Sequence, residues 1–229
     1  MRILLFDVFG TLVDWRTSLI DTAEATLPTG AGGDWAPVID DWRRAYQPAL
    51  DRVRQGAAWQ DLDALQRQTL DDVLTRRALT MSAADRETLV QGWRRLRPWP
   101  DSGPGLDRLR RKYVTATLSN GHLALLADLL KFADLRVDAV LSAQLAGSYK
   151  PDPRVYRTAL ELLECEPDDA GLVAAHASDL RAAAAVGLRP IFVRRPLEWG
   201  PGTPPADPPA LAGLLVADGL DDLAAALGC

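Results

Sequence analysis

The sequence predicts an α/β fold, a doubly wound parallel sheet that carries an inserted helical domain. Short apolar runs of strand length recur along the chain, and helical patterns separate most of them. Strands that alternate with helices are typical of a parallel sheet with right-handed crossovers. One long stretch between the first two runs has helical periodicity and little strand character, so we interpret it as an insertion.

The first predicted strand covers residues 2–6 (RILLF) and ends at Asp7, which a Gly10-Thr11 turn follows. A continuous apolar run suits a strand that is buried on both faces of a parallel sheet. Open α/β sheets place their binding sites at the carboxyl ends of such strands. Asp7 is therefore the first candidate for a reactive group.

Five further apolar runs complete the predicted sheet. They lie at 114–118, 137–141, 171–175, 190–193 and 214–217. The segment 196–210, between the last two runs, is rich in proline and glycine. Its composition predicts an irregular connection near the surface.

The inserted stretch is predicted to form a helical cap over the end of the first strand. Apolar residues recur in it at helical spacing, in the groups Trp35-Val38-Ile39-Trp42-Tyr46, Leu62-Leu65-Val73-Leu74 and Leu89-Val90-Trp93-Leu96. We therefore predict a core domain formed by residues 1–14 and 98–229, with a cap domain formed by residues 15–97.

Composition favours small-molecule chemistry over nucleic-acid or membrane binding. The chain has 229 residues, 25% of them charged, and a net charge of -5, which provides no basic surface for nucleic acid. The apolar run before Asp7 is too short for a secretory signal and no run reaches membrane-spanning length, so we expect a cytoplasmic protein. Cys165 and Cys229 lack the spacing of a disulfide framework or a zinc site.

Four segments, each following a predicted strand, carry the candidate chemistry. They are Asp7-Val8-Phe9-Gly10-Thr11-Leu12, Leu118-Ser119-Asn120-Gly121, Tyr149-Lys150-Pro151-Asp152 and Val173-Ala174-Ala175-His176-Ala177-Ser178-Asp179. Their order and spacing resemble the four motifs of the haloacid dehalogenase superfamily, over almost the whole chain. The resemblance implies a Rossmann-like core with a cap inserted after the first motif.

An aspartate at the first strand end can attack an electrophilic carbon or phosphorus and divide a difficult hydrolysis into ester formation and ester breakdown. Asp7 and a substrate carboxylate would repel each other by about 4 kcal/mol at ~4 Å and an effective dielectric constant of about 20. Lys150 supplies a positive charge that offsets this repulsion.

Two departures from the phosphatases of the superfamily indicate the branch. Phe9 stands where phosphatases have a second aspartate, which protonates an alcohol leaving group, whereas a halide leaves without a proton. Ala175 stands where they have an acidic magnesium ligand, leaving Asp179 as the only acid of that pair. The pattern resembles the L-2-haloacid dehalogenases, which implies metal-independent conversion of small 2-haloalkanoic acids to 2-hydroxy acids without a cofactor.

The resemblance also implies roles for individual residues. Asp7 is the expected nucleophile, Lys150 and Asp179 are expected to organise Asp7 and the attacking water, and Thr11, Ser119 and Asn120 to bind the substrate carboxylate or polarise the ester. The expected substrate-binding residues further include Arg43 near the leaving halide, Phe9, Tyr156 and His176. Homodimers are typical of the family, so a homodimer is expected.

The fourth motif leaves the substrate range open. Ala174 and His176 replace a serine and an asparagine of the best-known members of this branch, and a titratable histidine is expected either to narrow the pocket or to help activate water. Small acids such as fluoroacetate or chloroacetate are therefore included among the expected substrates. The alternatives are a magnesium-dependent phosphatase, a hydrolase of another carbon electrophile such as a strained-ring amino acid, and a non-catalytic binding protein with the same fold.

Overall fold

The computed structural model describes residues 1–26 and 34–229 and contains a parallel sheet of six strands. Its strands are β1 (Ile3–Phe6), β4 (Val114–Ser119), β5 (Ala139–Ser142), β6 (Ala170–Ala174), β7 (Arg189–Val193) and β8 (Leu215–Ala217). Their order across the sheet is β5-β4-β1-β6-β7-β8, and every neighbouring pair is parallel. The predicted fold class and all six predicted strands are confirmed.

Helices alternate with most of the strands of the sheet, and the last of these helices follows β8. They are α5 (Ser102–Leu109), α6 (Leu123–Phe132), α7 (Pro153–Leu162), α8 (Ala177–Ala185) and α9 (Leu220–Ala226). Within the described residues, no helix is both long and apolar enough to span a membrane.

In the described part of the stretch between β1 and β4, where the sequence predicts a cap, lie four helices. They are α1 (Trp15–Thr26), α2 (Ala36–Arg54), α3 (Leu62–Arg76) and α4 (Ala83–Gly92). Two short strands, β2 (Val13–Asp14) and β3 (Arg97–Pro98), pair antiparallel at the start and the end of this stretch. The three helices predicted from apolar spacing are present, while the division into core and cap domains stays a prediction.

The inner faces of these helices pack around tryptophan side chains. Trp42 of α2 is buried, and its indole N–H donates to the Gln66 carbonyl of α3 at 2.8 Å. The Trp42 ring meets the Trp93 ring edge to face, with their centroids 5.6 Å apart. Because a buried indole N–H is stabilised by such an acceptor, this contact helps to fix how α2 lies on α3.

The position of β1 in the middle of the sheet determines where the site forms. All four residues of β1 are buried, and Phe6 is paired with Thr117 on one side and with Val173 on the other. Because parallel strands end at the same edge, the residues that follow β1, β4 and β6 meet there. Asp7, Asn120 and His176 are consequently neighbours.

Candidate active site

Asp7 follows β1 directly and its carboxylate is buried. Oδ1 accepts a hydrogen bond from Lys150 Nζ at 2.9 Å. Oδ2 lies 2.7 Å from the Thr11 hydroxyl, which donates to it, and 3.0 Å from Nδ1 of His176. Burial opposes the charge of Asp7, but the positive charges of Lys150 and His176 outweigh it and hold the pKa of this carboxyl well below its ordinary value.

Lys150 lies in the loop that precedes α7, with its ammonium group buried between two carboxylates. Besides Asp7, Nζ donates to Asp179 Oδ2 at 2.5 Å and to the Leu118 carbonyl at 2.8 Å. Burial disfavours the ammonium ion, yet Asp179 and Asp7 more than compensate and raise its pKa. The three donors of Lys150 are therefore all in use, and they fix the positions of both carboxylates.

Asp179 lies in the first turn of α8, where the helix dipole favours a negative charge. Its second oxygen, Oδ1, accepts a hydrogen bond from the Tyr156 hydroxyl at 2.5 Å. Burial raises the pKa of Asp179 despite the charge of Lys150, and the nearby charge of Asp7 raises it further. Asp179 is thus the better proton acceptor of the two carboxylates.

The polar residues predicted around Asp7 take different positions. The Thr11 hydroxyl, which donates to Asp7, accepts from the Ala175 backbone N–H at 3.0 Å and lies behind the carboxylate. Ser119 is buried, and its hydroxyl accepts from the Gly121 N–H at 3.1 Å. Asn120 lines the cavity, its Oδ1 accepts from the Lys150 backbone N–H at 2.8 Å, and its amide group also contacts the Tyr46 hydroxyl of α2.

His176 joins Asp7 to a residue that the sequence did not single out. Its Nε2 lies 2.9 Å from Oε1 of Glu198, which is buried. Burial disfavours a charged imidazole, but Glu198 and Asp7 prevail and raise the pKa of His176 to about 10. Glu198 belongs to the Pro- and Gly-rich segment predicted to lie near the surface, and that prediction was wrong at this position because the carboxylate is directed inward to His176.

Three aromatic rings surround the guanidinium group of Arg43, which lies on α2. Its guanidinium carbon is 4.5 Å from the ring centroid of Tyr46, 5.4 Å from that of Trp15 and 5.9 Å from that of Trp93. Nη1 of Arg43 is buried without a hydrogen-bond partner among the described residues. Phe9 is packed edge to face on Trp93 at 5.5 Å and forms the adjoining wall.

These side chains surround a cavity of about 550 Å³. Seven of the predicted site residues line it: Asp7, Phe9, Arg43, Asn120, Lys150, His176 and Asp179. Thr11, Ser119 and Tyr156 lie outside the lining, and two of them support its carboxylates through hydrogen bonds, Thr11 to Asp7 and Tyr156 to Asp179. The volume lies within the usual range for small-molecule sites.

Arg54 also lines the cavity and was missed from the sequence. It lies eleven residues after Arg43 on the same helix, which is about three turns and therefore the same face. That spacing is the signal that identifies it. Its Nη1 donates to the Lys150 carbonyl at 3.0 Å, a contact that joins α2 to the loop carrying the lysine.

The match to a family model covers residues 1–187 and is described as haloacid dehalogenase-like hydrolase. The chain belongs to this family of hydrolases. It is 29% identical over 205 residues to (S)-2-haloacid dehalogenase 4A of Burkholderia cepacia, a match that covers 85% of this chain and 84% of that protein.

Two crystal structures resemble the whole chain. The L-2-haloacid dehalogenase PA0810 has 45% sequence identity and a TM-score of 0.92, over 99% of this chain and 98% of that one. The defluorinating L-2-haloacid dehalogenase Rha0230 has 36% identity and a TM-score of 0.93, over 100% of this chain and 96% of that one. The family resemblance that the four motifs indicate is thus confirmed.

Within residues 1–26 and 34–229, no three His, Cys, Asp or Glu side chains cluster in a way suited to a metal ion. The two phosphatase-specific positions contain apolar side chains. Phe9 and Ala175 are both buried, and neither offers an oxygen ligand or a proton.

Proposed function

We propose that this protein hydrolyses the carbon–halogen bond of small 2-haloalkanoic acids to give 2-hydroxy acids, through an ester formed on Asp7. One observation carries the proposal: the two oxygens of the buried Asp7 carboxylate are differently occupied. Oδ2 accepts from two side chains, whereas Oδ1 accepts, among the described residues, from Lys150 alone and keeps one lone pair. A carboxylate held in place with a free lone pair is suited to nucleophilic attack.

In the first step Oδ1 of Asp7 attacks C2 of the substrate. The new C–O bond forms as the carbon–halogen bond breaks, and the bonding pair leaves with the halide ion. The halide needs no proton, which agrees with the apolar Phe9 in the position of a general acid. Lys150 offsets the repulsion between Asp7 and the substrate carboxylate while it keeps Asp7 in place.

In the second step water attacks Cγ of Asp7, which is the carbonyl carbon of the ester. Asp179 takes the proton of the water, for which its raised pKa suits it, and the expelled 2-hydroxy acid oxygen receives a proton in return. Oδ1 of Asp7 leaves in the product as its 2-hydroxyl oxygen, so the carboxylate of Asp7 is regenerated from Oδ2 and the oxygen of the water. Lys150 and Tyr156 orient Asp179 through its two oxygens.

The cavity supplies two regions for an anionic substrate. The amide of Asn120 has two N–H donors and lines the cavity, so it is placed to bind the substrate carboxylate with one of them. The guanidinium of Arg43, with Nη1 buried and unpaired in the described part of the chain, is placed to bind the leaving halide. Related proteins named (S)-2-haloacid dehalogenase and L-2-haloacid dehalogenase support this substrate class, and the defluorinating one supports including fluoroacetate.

Halide release from a panel of 2-chloro, 2-bromo and fluoro short-chain acids tests the proposal, in the presence of a chelator. We expect release that the chelator does not reduce and that Asp7→Asn abolishes, while the exposed Asp134→Asn variant keeps wild-type rates. A single turnover in heavy-oxygen water should label the Asp7 carboxylate. No release across the panel, or label absent from Asp7, would reject the proposal in favour of a phosphate ester or strained-ring substrate.

We further propose a cytoplasmic homodimer. Cys165 and Cys229 are both free thiols, which supports a reducing compartment. Fractionation of the native cells and light scattering of the purified protein test the location and the assembly separately.

A further inference from the structure

Glu198 is a buried carboxylate to which the steps above assign no role. Its Oε1 accepts from His176 Nε2 at 2.9 Å and from the Trp15 indole N–H at 3.1 Å. A carboxylate with 5% exposure is costly to bury unless its partners stabilise the charge. Because the indole fixes the carboxylate, Glu198 in turn fixes the plane of the His176 ring.

The turn after the nucleophile is shaped to admit this pair. Gly10 has a φ of +83°, and a Cβ at this position would overlap the Glu198 carboxylate and lie 3.1 Å from Cε1 of His176. Only glycine combines that backbone angle with that space. The first motif therefore accommodates Glu198 and His176 as well as presenting Asp7.

Both ring nitrogens of His176 face carboxylates, Asp7 at Nδ1 and Glu198 at Nε2. An imidazole satisfies two acceptors only when both nitrogens carry a proton, which agrees with its raised pKa. Neither nitrogen is then free to accept a proton from water, so His176 is a donor and not the general base. The other charged groups that line the same cavity are Lys150, Asp179, Arg43, Arg44, Asp51 and Arg54.

The donor at Nδ1 contacts the oxygen of Asp7 that becomes the ester carbonyl. If Oδ1 attacks the substrate, Oδ2 remains as the carbonyl oxygen, and water attack on the ester then places negative charge on Oδ2. Thr11 and His176 already donate to Oδ2 at 2.7 and 3.0 Å. Donors fixed in advance at a developing oxyanion commonly contribute about 100-fold to 1000-fold in rate.

We propose that Glu198 is a positioning residue for ester hydrolysis, which holds His176 so that its Nδ1–H and the Thr11 hydroxyl together form the oxyanion hole at Asp7 Oδ2. This inference rests on the proposed dehalogenation. In the tetrahedral intermediate the electron pair of the carbonyl bond resides on Oδ2. It returns to re-form the carbonyl as the bond from Cγ of Asp7 to Oδ1 breaks, and Oδ1 leaves on C2 as the alkoxide of the product, which takes the proton that Asp179 received from the water. His176 donates a hydrogen bond throughout and keeps its proton.

The first test uses the free enzyme and needs no substrate. The chain has only two histidines, so ¹⁵N-histidine labelling gives two ring systems, and the signal lost in His176→Asn identifies His176. We expect the wild-type His176 ring to stay protonated at pH 8, and Glu198→Gln to lower its titration midpoint by about one pH unit or more. A titration midpoint near the ordinary histidine value in the wild type, or one that Glu198→Gln does not move, would show that Glu198 does not hold His176 in its charged form.

The second test separates the two chemical steps. In Glu198→Gln we expect ester hydrolysis to slow by about 100-fold and ester formation by much less, so that intact mass spectrometry finds the ester accumulating on Asp7. In the His176→Asn background the same change should alter hydrolysis by less than about 2-fold, because the role of Glu198 passes through His176. The exposed Glu87→Gln variant is the control.

If Glu198→Gln slowed ester hydrolysis equally in the wild type and in His176→Asn, Glu198 would have a merely structural role and the proposal would be overturned. Wild-type protein that forms no ester with any acid of the panel would instead reject the dehalogenation. In that case the histidine titration still decides whether Glu198 holds His176 charged, so the two failures are distinguishable.

Discussion

The Lys150 ammonium group lies 2.9 Å from Asp7 Oδ1, the one oxygen of that carboxylate with a lone pair to spare. The same ammonium binds Asp179, so a single cation orients the nucleophile and the proposed base. Removing it takes the shared cation from two buried carboxylates, which is much more costly than removing an exposed ion pair, although His176 still faces Asp7 and Tyr156 still donates to Asp179. The lysine therefore serves stability and chemistry through the same contacts.

Lys150→Met is expected to reduce halide release by at least about 1000-fold and to lower the free energy of unfolding by about 3 to 5 kcal/mol, because it removes the cation that lies between two buried carboxylates. Halide assays and urea unfolding measure the two effects. Lys131→Met, at an exposed lysine of α6, is the control and should change neither. A Lys150→Met protein as stable as the wild type would contradict the proposed charge balance.

The raised pKa of His176 predicts that the protein loses stability at alkaline pH. Its pKa is raised in the folded state to about 10, so its stabilisation is complete below the ordinary value of 6.5 and is lost as the pH rises from there through 10. The free energy of unfolding should fall in this window by no more than about 1.4 kcal/mol per pH unit for the one proton. Urea unfolding at a series of pH values measures it. The wild type and His176→Asn should differ in slope there, and parallel curves would refute the assignment.

The sequence predicted the sheet because buried parallel strands are continuous apolar runs. The predicted boundaries of β1, β4 and β6 differ from the observed ones by a residue or two, since an apolar run and a hydrogen-bonded strand end at different points. The β2–β3 pair was not predicted, because two residues per strand are too few for an alternating pattern.

The centre of the candidate site was predictable to a similar degree. Asp7, Lys150 and Asp179 follow predicted strands within motifs, so topology alone brings them together. Glu198 follows no motif and is surrounded by turn-forming residues, and its direction depends on contacts with Trp15 and His176 that no local pattern encodes. Long-range side-chain pairing of this kind is the part that sequence reasoning could not supply.

Arg43 and Arg52, both on α2, form a matched pair for testing the halide site. Arg43→Lys keeps the charge but loses the planar group that lies against three aromatic rings, so kcat/KM for 2-chloro acids should fall by about 10-fold to 100-fold. Arg52 is exposed and lies outside the lining of the cavity, so Arg52→Lys should stay within about 2-fold of the wild type. Steady-state halide release measures both. Similar losses in the two variants would remove Arg43 from the halide site.

Tyr156→Phe removes the hydrogen bond to Asp179 Oδ1 and leaves the ring in place. Because a hydrogen bond to a charged group contributes more than a neutral one, we expect ester hydrolysis to slow by about 10-fold, while ester formation on Asp7 is nearly unchanged. Pre-steady-state halide release would then show a burst followed by a slower phase.

Tyr149→Phe is the matched control for that variant. Tyr149 is as buried as Tyr156, but its hydroxyl donates to the Gln60 carbonyl at 2.6 Å and contacts neither carboxylate. Its loss should cost about 1 kcal/mol of stability and leave both chemical steps within about 2-fold of the wild type. If Tyr156→Phe also lowered only the stability, Asp179 would need no orienting donor besides Lys150, and the tyrosine would be a packing residue with a satisfied hydroxyl.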